Sequence, residues 1–255
     1  MTGRTVRLGQ ANPVALIGAG LLIDVVLLVS LDPVTAAAAV LLELALVPVT
    51  GLPLSRVVRR SVPVLVAAAF AGVTVALYGS TAGAIRLHWG LVTVSDGSLL
   101  LALTTALRIL AIALPAIVLL ADLDATRLAD ALAQRLHLPA RFVLAGLAAF
   151  RLVEVFAEDW RTIGLARRAR GVADAGRLRR LPGQVFTLLV VALRRASALA
   201  TAMEARGLGA PGRRTWSRPS RFGRIDLVVL AAGVLVAGGA VAVGLLTHSY
   251  RVVFT

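Results

Sequence analysis

The 255-residue chain is 58% hydrophobic and 16% charged, with a mean hydropathy of +0.88 and a formal net charge of +14. Soluble domains run nearer roughly 45–50% apolar and about 25% charged, so a water-soluble globule is excluded. All 27 basic residues are arginine and there is no cysteine, which excludes disulfides, thiolate metal sites and any phosphate loop that needs a lysine.

The N-terminal tail carries Arg4 and Arg7. A first apolar run at 14–31 contains Asp24 and exceeds the ~7–15 residues of a signal-peptide core. Asp32-Pro33 ends it, because the residue before proline is pushed out of helical geometry. A second run, 34–49, holds Glu43 and leads into a predicted turn at 51–60 with Arg56, Arg59 and Arg60. A third run covers 62–78. Residues 79–97 are mixed, and Arg86, His88, Trp89 and Asp96 predict an interfacial loop or short amphipathic stretch. The fourth run, 99–121, carries Arg108 and a kink signal at Pro115. Residues 122–224 then hold 19 arginines and 8 acids, before a last apolar run at 225–246 followed by His248, Tyr250 and Arg251.

Apolar runs near 20 residues cross the ~30 Å hydrocarbon core as helices. Strands would need short alternating segments, which are absent. The expected fold is therefore all-α, a polytopic helical membrane protein with about five crossings. Cytoplasmic loops carry the excess of arginine. An N-terminus inside and five crossings put Arg4 and Arg7, the 56–60 arginines and 122–224 all on the cytoplasmic face of the plasma membrane. The expected organisation is a membrane domain of four crossings at 1–121, a cytoplasmic segment at 122–224, and a last crossing with tail at 225–255.

Two apolar stretches inside the basic segment, 142–150 and 185–193, are about half the length needed to span. They read as membrane-proximal halves of two long helices; the alternative is a further pair of crossings. The first helix starts at Pro139, where a missing N–H is harmless. It places Val153, Phe156, Trp160 and Ile163 on one face, with Arg151, Glu154, Glu158 and Arg161 opposite. It closes with Ala169-Arg170-Gly171, glycine being suited to a left-handed helix end. The second starts at Pro182-Gly183 and closes with Ala205-Arg206-Gly207, its arginine 36 positions after the first. Small residues at 196–202 predict close helix crossing there. An arginine fork at a helix tip can dock bidentately with a partner carboxylate.

The runs Leu165-Ala166-Arg167-Arg168-Ala169-Arg170-Gly171 and Ala202-Met203-Glu204-Ala205-Arg206-Gly207-Leu208-Gly209 resemble the paired Ala-Arg-Gly motifs of the transmembrane (T) component of energy-coupling factor transporters, the CbiQ-like family. Leu128-Ala129-Asp130-Ala131-Leu132, Leu136-His137-Leu138-Pro139 and the opening Asn12-Pro13 are similar to that family too. The specific similarity lies in 128–209; Ala121-Asp122 departs from an expected Thr-containing turn. The resemblance implies a scaffold with no active site and no cofactor of its own. Its two long cytoplasmic coupling helices dock on two ABC-type ATPase subunits, which bind the ATP. Its membrane part holds a substrate-binding S component for a vitamin or metal ion. Arg170 and Arg206 would make the ATPase contacts, within Ala169, Arg170, Gly171 and Ala205, Arg206, Gly207.

Asp24, Glu43 and Arg108 lie within expected crossings, where a charge costs at least ~2.5–3.5 kcal/mol for Asp or Arg at mid-helix. They are candidates for an ion path, or for pairing and snorkelling; a scaffold needs no ion relay, which favours the structural role. His88, His137 and His248 are far apart, and no metal site is expected. Two rival functions make other demands. An ordinary ABC importer permease forming its own pathway predicts a single short coupling helix. A nucleic-acid binder predicts stacking aromatics among the arginines, where Trp160 and Trp216 are the sparse supply. The expected partners are thus the ATPases, the S component and membrane lipid, with no nucleic acid.

Overall fold

The computed structural model describes residues 8–30, 32–79, 84–89, 92–171, 176–210 and 215–247. Arg4, Arg7, His248, Tyr250 and Arg251 lie outside them, as do the side chains of Arg86, His88 and Trp89. In chain order the elements are α1 (Pro13–Val29), α2 (Pro33–Leu46), a 3-10 turn (Val47–Thr50), α3 (Leu54–Tyr78), β1 (Ile85–Trp89), β2 (Val92–Ser95), α4 (Asp96–Leu119), α5 (Ala125–Arg135), α6 (Ala140–Ala169), α7 (Arg177–Ala205) and α8 (Arg224–Leu246). They fall into two units, Met1–Asp124 with Arg221–Thr255, and Ala125–Ser220.

In the first unit the helix starts follow from local chemistry. Asn12 accepts from the Val14 N–H at 3.1 Å, with Pro13 at the first helical position. Asp32 accepts from the Thr35 N–H at 2.8 Å and its hydroxyl at 2.6 Å, and the Ser30 hydroxyl also donates to it. Ser95 and Ser98 form a reciprocal capping box at the start of α4, at 3.2 and 3.0 Å. The 3-10 turn closes on Gly51 with φ 72°, a left-handed position that suits glycine.

Two local expectations change. The expected turn at 51–60 is confined to 51–53, because α3 begins at Leu54 and the arginines occupy its first turns. Arg60 donates to the Ala121 carbonyl at 2.8 Å, and Arg56 lies 3.7 Å from the Asp122 carboxylate. The expected interfacial loop is an antiparallel hairpin pairing Leu87 with Val94 and Trp89 with Val92. The alternation Ile85, Leu87, Trp89 carries a strand's period of two, which is why it pairs. α4 runs unbroken through Pro115.

α1 packs beside α4 and α8, α2 beside the same two, and α3 against α4. Small residues permit this: a Cβ on Gly233 of α8 would lie 3.0 Å from the Ala19 Cβ of α1. Asp226, 3% exposed, accepts from the Gly223 N–H at 2.6 Å and from the Asn12 N–H, joining the starts of α1 and α8. One apolar cluster holds Leu16, Val57, Val118 and Val229, so the starts of α1, α3 and α8 and the end of α4 share one end of this bundle.

Among the described residues, five helical stretches are long and apolar enough to cross a membrane: Pro33–Thr50, Leu54–Tyr78, Asp96–Leu119, Leu181–Ala205 and Arg224–Leu246. The membership differs from the sequence expectation. α1 is a 17-residue apolar helix, at the short end of spanning length, whereas the α7 stretch qualifies. The apolar run at 185–193 is followed, after Arg194 and Arg195, by the uncharged Ala196–Met203, which supplies the missing length.

In the second unit, α5 packs on α6, with Arg151 donating to the Thr126 hydroxyl at 3.0 Å. Gln134 binds the 215–220 segment twice, donating to the Arg218 carbonyl at 2.9 Å and accepting from the Ser220 N–H at 2.8 Å. His137, at φ 54°, turns the chain from α5 towards Pro139 and α6. α7 begins at Arg177, five residues before Pro182, which lies inside the helix and not at its start.

Candidate docking ends and their supporting helices

Both Ala-Arg-Gly copies adopt the same geometry. Arg170 ends α6 at φ −89°, ψ 6°, and Arg206 ends α7 at φ −87°, ψ 9°. Gly171 and Gly207 follow at φ 67° and 80°, where a side chain costs roughly 1–2 kcal/mol. The Gly207 N–H donates to the Glu204 carbonyl at 2.9 Å and the Leu208 N–H to Met203 at 2.9 Å, the paired bonds of a Schellman end. The Gly171 N–H donates to Arg168 at 3.0 Å in the matching place. All six residues of the two motifs are exposed. Each arginine is therefore held on a fixed helix terminus with its side chain in the open.

The helices beneath these ends run antiparallel. Along α6 the contacts proceed from Asp159 to Arg167, and along α7 from Arg195 back to Gly183. Arg195 donates to the Asp159 carboxylate at 2.7 Å, and the Gln184 amide donates to the Trp160 carbonyl at 2.9 Å. Arg170 and Arg206 consequently lie at opposite ends of the pair, on the order of 30–40 Å apart at 1.5 Å per helical residue. Two sequence expectations fail here. The crossing is not at 196–202, where Ala196, Ser197 and Ala198 are exposed, but at Gly164, Gly183 and Gln184. Val153 is exposed, while Asp159 and Arg167 join Phe156, Trp160 and Ile163 on the inner face. The Asp159–Arg195 pair was missed; the signal for it was an acid and a base beside apolar residues on facing helices.

The three charges expected within crossings belong to the first unit. Arg108 donates to the Leu28 carbonyl at 2.6 Å, so it serves the C-terminal end of α1, where a cation also meets the favourable end of the helix dipole. Glu43 is 8% exposed, with neither carboxyl oxygen bonded, and it borders a cavity of about 100 Å³ with Leu46, Val47, Leu114, Val118 and Val229. One Asp24 oxygen is likewise buried without a partner. Among the described residues no hydrogen bond or ion pair links Arg108 to either acid, and no three metal-ligating side chains come together.

The chain matches the family model of CbiQ, described as a cobalt transport protein, over residues 10–216. It is 32% identical over 180 residues to the energy-coupling factor transporter transmembrane protein EcfT of Limosilactobacillus fermentum, covering 65% of this chain and 67% of that protein. To the protein of the same name from Bacillus selenitireducens it is 38% identical over 99 residues, 37% of each chain. The matched span contains the helix pair and both arginine-tipped ends, and with the apolar helices it makes this a multi-pass membrane protein. The chain belongs to the CbiQ family, the transmembrane components of energy-coupling factor transporters.

Proposed function

We propose that this chain is a non-enzymatic scaffold that couples ATP hydrolysis by two ABC-type ATPase subunits to reorientation of a substrate-binding S component, for uptake of a vitamin or metal ion. The observation that carries this reading is the pair of like-built arginine ends at opposite ends of one antiparallel helix pair. Two equivalent, widely separated cationic tips suit two equivalent partners. Arg170 and Arg206 would each enter an acidic groove bidentately, with Ala169 and Ala205 allowing close approach and Gly171 and Gly207 fixing the direction. ATP would be bound by the partners, and the chain needs no cofactor of its own.

The ends sit on the inner side of the plasma membrane in this reading. Arg56, Arg59, Arg60 and Arg224 gather at the bundle end that holds the starts of α1, α3 and α8, as the positive-inside rule requires of a cytoplasmic face. An ordinary importer permease fits less well, because it would present one short coupling helix, whereas α6 and α7 have 30 and 29 residues. Arg170→Glu with Arg206→Glu should abolish copurification of the ATPase subunits while the chain still inserts into the membrane. Undiminished copurification of the double variant would defeat the docking assignment.

A further inference from the structure

The α6–α7 pair is held together in an unusual way. No residue of α6 and none of Leu181–Ala205 is buried. Leu165 is 62% exposed and Phe186 67%, so no packed apolar core sets the angle between the helices. A short polar seam replaces it. Asp159 and Arg195 form a charge-assisted bond at 2.7 Å, and Gln184 reaches the Trp160 carbonyl at 2.9 Å. Gly164 and Gly183 permit the approach: a Cβ on Gly183 would lie 3.2 Å from the Arg167 guanidinium, and one on Gly164 would lie 3.4 Å from the Gln184 amide nitrogen.

Beyond the seam, towards Arg206, a cleft of about 410 Å³ lies between Leu144–Val155 of α6 and Leu199 and Met203 of α7, with Arg206 and Leu208 just past its end. The seam thus divides two arms. From Arg195 to Arg206 the arm is ~16 Å, and from Gly164 to Arg170 it is ~9 Å, at 1.5 Å per residue.

We propose that Asp159 and Arg195 are positioning residues whose ion pair is the fulcrum of the two helices, fixing their crossing so that displacement of one arginine tip is passed to the other. The proposal rests on the scaffold reading for its purpose, but the geometry can be tested without the ATPases. The pair is part-exposed, so its role is geometric more than energetic: a planar guanidinium fixes direction as well as distance. With so little packing beside it, this bond carries a share of the orientation that a buried pair in a full core would not.

The chain's lack of cysteine allows spin labels at Phe150→Cys and Ala202→Cys, exposed sites on the two helices, on the same side of the seam and outside the Ala-Arg-Gly ends. The full chain in lipid nanodiscs is measured by pulsed electron–electron resonance. Asp159→Asn should broaden the distance distribution and move its mean by roughly 2 Å, the displacement that a ~10° change gives at the ~10 Å arm from Arg195 to residue 202. The exchanged pair Asp159→Arg with Arg195→Asp should restore the narrow distribution. An unchanged distribution in Asp159→Asn overturns the fulcrum, and so does a change that the exchange leaves unrepaired. Wild-type copurification of ATPase subunits, measured alongside, reports the docking reading separately.

Discussion

The two units of this chain use the same apolar alphabet to opposite ends. In the first, Leu27 is 2% exposed, helices meet through glycine and alanine, and helix starts are capped by Asn12, Asp32 and Ser95. In the second, less apolar, arginine-rich helices leave leucines and phenylalanines such as Leu165 and Phe186 uncovered and meet at a polar seam. A bundle with a buried core sets its own helix angles, even where outer side chains such as Leu41 and Phe70 stay exposed. A helix pair without one is finished by what surrounds it, lipid or partner, and can change its angle without tearing a core.

The sharpest way to break this contrast is a matched truncation. Leu27→Ala should destabilise the chain by about 2–5 kcal/mol, as cavity-forming changes do, whereas Leu165→Ala should cost less than ~0.5 kcal/mol. Thermal unfolding in detergent reads both, and equal shifts would erase the distinction. Asp226→Ala comes next. It strips the Asn12 and Gly223 N–H groups of their acceptor, at about 1–3 kcal/mol for each orphaned donor, and should show as early loss of protection at the start of α1 by hydrogen exchange.

Gly207→Ala should cost ~1–2 kcal/mol locally, fraying the end of α7 with little change in the unfolding temperature of the first unit. Asp32 gives the smallest and most conditional effect. Burial raises its carboxyl pKa, but hydrogen bonds from Ser30 and Thr35 outweigh this and hold it below the ordinary carboxylate value. Its contribution is therefore present above that ordinary value and lost as pH falls through the lower, folded-state one. Asp32→Asn should flatten the acid limb of a stability–pH profile, and an unaltered limb would remove Asp32 from the account.

Hydropathy made α1 to α4 and α8 legible, because a membrane span is a property of composition over some twenty consecutive residues. The break at Asp32-Pro33 was legible for a similar reason, since it acts within a few residues, although the capping bonds of Asn12, Asp32 and Ser95 emerged only with the structure. Arg56, Arg59 and Arg60 misled as a turn, since arginine is a good helix former whose long stem can reach water from a helix start. Pro182 misled as a start, because the preceding Arg177–Leu181 forms a helix on its own side of it. The glycine ends at 171 and 207 were readable, being local backbone chemistry. Their placement at opposite ends was not, since antiparallel pairing rests on contacts such as Asp159 with Arg195, 36 positions apart and unmarked by any period.

The bond between Asn12 and Asp226 joins residues 214 positions apart. During synthesis at roughly 5–20 residues per second, α1 must wait on the order of 10–40 s before its last neighbour leaves the ribosome. Through that interval the Ala19 stripe that later receives Gly233 is open to other helices in the translocation machinery. The assembly order of this bundle is thus closed by its final span, and a nascent chain cut short before residue 224 would leave its first span without the clasp that ends the process.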